Sequence, residues 1–123
     1  MKSILIMLIL CLPACVSLQF DSLEYDRYIT IKEIADTSIQ SCNEPTINDR
    51  VKELKLLMDH QYLYSFNREA RPQVAEAATN LKDIVDKLYN RYKQGQPSVA
   101  YCQEKLNNVS LGATTVVRVL GRL

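Results

Sequence analysis

The chain contains no tryptophan, one histidine, three glycines and four prolines in 123 residues. Each scarcity excludes something. Few Gly and Pro, with plentiful Leu, Ile, Ala, Lys and Glu, argue against a turn-rich sandwich or barrel and for helices. A lone histidine, His60, leaves a serine or cysteine nucleophile without a second imidazole and leaves a zinc site short of ligands. Charge of one sign is also lacking, because 15 Lys and Arg stand against 14 Asp and Glu. A chain without electrostatic bias is not built to bind nucleic acid or an anionic bilayer as its main partner. No Gly-rich phosphate loop, HExxH or CxxC is present, and the sequence implies no cofactor, no metal and no catalytic residue. Asp and Glu are scattered among Lys and Arg, as on solvated helix faces; Asp83 and Lys87, for instance, are i,i+4 neighbours. We expect a protein that is not an enzyme.

What is present begins at the N-terminus. Lys2 is the only charge before a nine-residue apolar run, Ile4 to Leu12, which is followed by Pro13-Ala14-Cys15. The run is too short to span a bilayer and has the order of a secretory signal peptide. Leu12-Pro13-Ala14-Cys15 resembles the lipobox of bacterial lipoproteins, with Pro13 a departure from the small or β-branched residues usual there. The resemblance covers residues 1–15 only and implies cleavage before Cys15, acylation of Cys15 and anchoring to a membrane through lipid. By the sorting convention of that family, Val16 rather than Asp implies the periplasmic face of the outer membrane in a Gram-negative or phage setting. Cleavage after Ala14 or Ser17 without acylation would give a secreted, soluble protein instead. We therefore expect a signal peptide over residues 1–14, a tether over 15–20 and one helical domain over 21–123.

Within that domain the apolar residues recur at helical spacing. Asp21 with Glu24 three residues on has the form of a capping box, with Asp in place of Ser or Thr. Tyr28, Ile31, Ala35, Ile39 and Cys42 follow on one face. Pro45 breaks the pattern, and a second stripe runs through Ile47, Val51, Leu54, Met58, Tyr62 and Phe66. Pro72 suits the first position of a third helix, whose stripe is Val74, Ala78, Leu81, Val85, Leu88 and Tyr92. Gln94-Gly95-Gln96-Pro97-Ser98 is a helix stop and restart. Val99, Cys102, Leu106, Val109, Ala113, Val116 and Leu120 form the fourth stripe, with a kink expected at Gly112.

Four helices with short connections favour an up-down-up-down bundle. That topology places the end of the first helix and the start of the fourth at one end. Cys42 and Cys102 occupy those two places and are expected to form a disulfide, closing a long loop and contributing roughly 4 kcal/mol in the chain-entropy model. Asn108-Val109-Ser110 is an N-glycosylation sequon, relevant only in a eukaryotic source.

One segment has the composition of a recognition surface. Tyr62 to Arg68, continued by Arg71, collects three aromatics and two arginines at a helix junction. With Tyr62 and Phe66 assigned to the core, Tyr64, Arg68 and Arg71 are the candidate interaction residues. The function expected is binding or blocking of another envelope protein, as in superinfection exclusion or lysis control. The alternatives are a phage outer-membrane spanin, against which the length and low proline content count, and a cell-wall enzyme or enzyme inhibitor.

Overall fold

The computed structural model describes residues 21–66 and 71–123; the signal peptide, Cys15, the tether and Arg68 lie outside the described residues. Among the described residues there are four α-helices and no strand: α1 (Ser22–Ser38), α2 (Ile47–Phe66), α3 (Pro72–Lys93) and α4 (Val99–Leu120), with a single 3₁₀ turn, Ile39–Ser41, after α1. The all-helical class expected from the stripes is the class observed. Helix α1 packs on α2 and α4, and α3 packs on α2 and α4.

The helix ends follow local chemistry. The Asp21 carboxylate accepts from the Leu23 and Glu24 amides and satisfies two of the first-turn donors of α1. Pro72 opens α3, where its missing N–H is no loss. Helix α3 ends before Gly95, which adopts φ +123°, a conformation open to residues without a Cβ. Arg91 Nη1 donates to the Gly95 carbonyl at 3.1 Å, placing a cation at the negative end of α3. Ser98 then accepts from the Tyr101 amide and starts α4.

The stripes of α3 and α4 bury as expected, except that Val99 at the start of α4 is exposed. In α1, Tyr28, Ile31 and Ala35 are buried, and the regular helix gives way to the 3₁₀ turn at Ile39. Cys42 and Cys102 are bonded, with their Cα atoms 5.8 Å apart. Helix α4 runs unbroken through Gly112. A Cβ there would stand 3.0 Å from Leu81 Cδ1, so the missing side chain at Gly112 lets α4 approach α3 closely.

The second stripe departs from expectation. Ile47, Val51, Leu54 and Met58 are buried, but Phe66 is 56% exposed and Tyr62 half-buried; Gln61 and Ser65 take the core positions. A period of 3.6 carried forward from Ile47 reaches 61 and 65, whereas 62 and 66 drift off the face. Tyr62 and Phe66 instead stack on each other, ring centroids 5.4 Å apart.

Helices α2 and α3 are joined by a square of charges. Lys55 Nζ lies 2.8 Å from both Asp59 and Asp86, and Lys82 Nζ lies 2.5 Å from Asp86 and 3.5 Å from Asp59. Partial burial pushes the Asp86 carboxyl up, but the hydrogen bonds from Lys55 and Lys82 outweigh it and hold it below its ordinary value. Every charge in the square has two opposite partners, the arrangement in which surface ion pairs do contribute.

Candidate functional site

Two polar residues in the core of α2 require partners, and α1 and the start of α3 supply them for one. Glu24, Ser65 and Arg71 are all buried, and Glu24 is fully so. Arg71 grips both oxygens of the Glu24 carboxylate, Nη1 to Oε1 at 2.5 Å and Nη2 to Oε2 at 3.0 Å, and Nη2 also donates to the Ser65 carbonyl at 3.3 Å. Ser65 Oγ donates to Glu24 Oε2 at 2.5 Å and meets the Tyr28 hydroxyl at 2.8 Å. The bidentate fork is the geometry that makes an arginine–carboxylate pair strong. Glu24 therefore directs its carboxylate inward to Arg71 and Ser65, where a capping box would turn it back towards the Asp21 amide.

Hydrogen bonding to Glu24 raises the Arg71 pKa above its ordinary value, against the opposing effect of burial. Burial pushes the Tyr28 hydroxyl up to about 12; the Ser65 hydrogen bond opposes this and the Glu24 charge adds to it. Burial also raises Tyr92. A phenol whose pKa is raised in the folded state stabilises that state fully below its unfolded value near 10, and the contribution is lost as pH rises through the folded value. Stability should therefore fall between pH 10 and about 12 by on the order of 2 kcal/mol from Tyr28. Tyrosinate absorbance should show a titration step for Tyr28 at about pH 12, and a Tyr28→Phe variant should lose that step. A single transition near pH 10 in the folded protein would contradict this.

The candidate interaction residues are not all on one surface. Tyr64 is 37% exposed; its hydroxyl donates to Asp21, and the Arg27 guanidinium stands 6.0 Å from its ring centroid. Arg71, expected to be exposed, is 6% exposed and committed to Glu24, because the core of α2 carries Ser65 and α1 carries a buried carboxylate beside it. Arg68 lies outside the described residues. His60 is exposed.

Sequence reasoning missed the outward face of α2. Leu56 and Leu63, two turns apart, are exposed on the side of α2 away from its core stripe, with exposed Leu57 and Phe66 on the two flanks. Between α1 and α2 lies a groove of about 300 Å³ lined by Arg27, Thr30, Ile31, Leu57, His60 and Gln61. No group of three or more His, Cys, Asp and Glu among the described residues is placed to hold a metal ion. No helix among them is long and apolar enough to cross a membrane.

Ser65 next to Glu24 and Tyr28 has the residue types of a nucleophile with a base, but at 1% exposure it offers no access to a substrate. The network ties the N-terminal part of α1, the end of α2 and the start of α3 together. Compared with family models, curated proteins and solved structures, the chain matches none.

Proposed function

We propose that the chain is an exported, lipid-anchored helical envelope protein that acts by binding or blocking another envelope protein through α2. The observation that carries this is the second apolar side of α2. A helix needs one apolar stripe to bury against its own fold, and Leu56, Leu63 and Phe66 are surplus to that, each more than half exposed. Leu56 and Leu63, seven residues apart and so on one face of α2, form an exposed apolar strip suited to a partner's apolar side chains, with Phe66 on its flank. The apolar run ending at Ala14-Cys15 supports export and the lipid anchor.

The domain that presents this face is an up-down-up-down bundle. Its support is the direction of cross-helix pairs, which run to lower numbers on one helix as they rise on the other. Glu24 meets Ser65, while Ile31 shares a groove with Leu57. Lys55 meets Asp86, while Asp59 meets Lys82. Arg91 stands over Tyr101, while Leu81 faces Gly112. Cys42 bonds Cys102, and the Cβ position of Gly121 faces Tyr25.

Photo-cross-linking in the native envelope tests the docking role. A photoreactive residue at Leu63 should yield one discrete adduct, and the same residue at exposed Lys87 on α3 should not. Identical patterns from the two positions would refute a docking face on α2. The anchor is tested separately: Cys15→Ser should abolish labelling by a fatty-acid analogue, and equal labelling of variant and wild type would make the protein simply secreted.

A further inference from the structure

We infer that the groove between α1 and α2 binds the carboxylate of an apolar carboxylic acid, the group a polypeptide presents when it ends in an apolar residue. The inference rests on the docking role proposed for α2 and names the chemistry that would seat a partner there.

The lining divides by chemistry. Ile31 and Leu57 supply apolar walls; Arg27, His60 and Gln61 supply nitrogen; no carboxylate lines the groove. Thr30 donates its hydroxyl proton to the Asp26 carbonyl at 3.0 Å, which leaves an incoming acceptor to the nitrogens. Arg27 makes no ion pair among the described residues; the Tyr64 ring beside it, 6.0 Å to the centroid, holds the guanidinium in place while Tyr64 is itself tied to Asp21. Arginine is a donor in every protonation state open to it in a protein. It is therefore a permanent cation with no carboxylate paired to it among the described residues.

Gln61 is the second and independent observation. It lines the groove, is 2% exposed, and its Nε2 has no hydrogen-bond partner. A buried donor left unmade is destabilising, and such a group in a native fold calls for an explanation. The terminal torsion of a glutamine is broad and soft, so a small rotation turns the amide towards the groove and an acceptor there satisfies it. An ionised carboxylate fits both demands. It accepts only, its two coplanar oxygens match the arginine fork, and the carbon chain behind it finds Ile31 and Leu57. A phosphate would seek more than one fixed cation and has no use for apolar walls. About 300 Å³ lies at the lower end of small-ligand sites and suits one residue-sized group.

The test uses the full chain, isotopically labelled so that the side-chain signals of Gln61 and Arg27 are followed by NMR. N-acetyl-leucine, its carboxamide, butyrate and inorganic phosphate are titrated in turn. N-acetyl-leucine should shift both signals to saturation, and the carboxamide should bind about tenfold more weakly or worse. Phosphate should leave them unmoved. Tighter binding of N-acetyl-leucine than of butyrate assigns the site to a peptide terminus, and equal binding assigns it to free aliphatic acids.

Arg27→Ala, at an exposed position, should weaken binding about tenfold with the melting temperature unchanged. Gln61→Leu should abolish binding while raising the melting temperature, because it removes an unsatisfied donor from the core. A merely structural glutamine would not give that opposed pair of effects. Equal binding of acid and carboxamide, or wild-type binding by Arg27→Ala, overturns the proposal. Carboxylate binding retained by a chain that yields no cross-link from position 63 would refute the docking role and leave this site standing.

Discussion

Arg71→Met should lower the stability of the fold by about 3–5 kcal/mol. The variant leaves the Glu24 carboxylate fully buried and strips it of both guanidinium hydrogen bonds, while Ser65 alone still donates to it. Against a total on the order of 5–15 kcal/mol for a domain, that is a severe loss. Glu24→Leu combined with Arg71→Met should recover most of it, since an apolar pair of similar volume avoids the desolvation of two charges. Urea denaturation of the wild type, the single variant and the double variant measures each step. A single variant within 1 kcal/mol of wild type would show that water reaches Glu24 and that the pair is not the buried tie described above.

Reduction of Cys42–Cys102 should have an effect of similar size, roughly 4 kcal/mol, given a sequence separation of 60 between the bonded residues. Cys42→Ala should reproduce it, because either change removes the same constraint from the unfolded chain. The helices should still form in both cases, since their stripes bury without the bond, so circular dichroism at low denaturant should be nearly unchanged while the unfolding midpoint drops. The two losses should add to within a few tenths of a kcal/mol when combined, because Glu24 and Cys42 occupy opposite ends of the α1 segment and share no partner. A midpoint insensitive to reductant would remove the bond from the account of stability.

The helices were legible because their evidence is periodic and redundant. Val74, Ala78, Leu81, Val85, Leu88 and Tyr92 repeat the same message six times, and a single odd residue could not have obscured it. The end of α2 failed for a definable reason. There the apolar residues and the geometric register part company, and following Tyr62 and Phe66 meant leaving the 3.6-residue period that led to Gln61 and Ser65. Had the period been kept over the residue type, Glu24 would have emerged the same way, four residues before Tyr28 on the stripe of α1. Three polar residues on core positions near one junction, with Arg71 beside them, would then have announced a buried network. The unpaired Nε2 of Gln61 was beyond reach of any pattern, since satisfaction of a donor depends on neighbours from another helix. The disulfide was readable because cysteine chemistry needs only two residues and a topology to bring them together.

The placement of the disulfide has a mechanical consequence. Residues 43–46 and 94–98, the segments by which the α2–α3 pair is attached to the rest of the chain, both begin or end within a few residues of the Cys42–Cys102 bond. The far ends of that pair are fastened by Arg71 to Glu24 and by Tyr64 to Asp21. The ties of α2 and α3 to the rest of the fold, beyond the shared core, are thus covalent near one end and noncovalent near Arg71 and Tyr64. Local opening is therefore expected to begin at the Arg71 end, so amide hydrogen exchange should be faster there than beside Cys42 and Cys102.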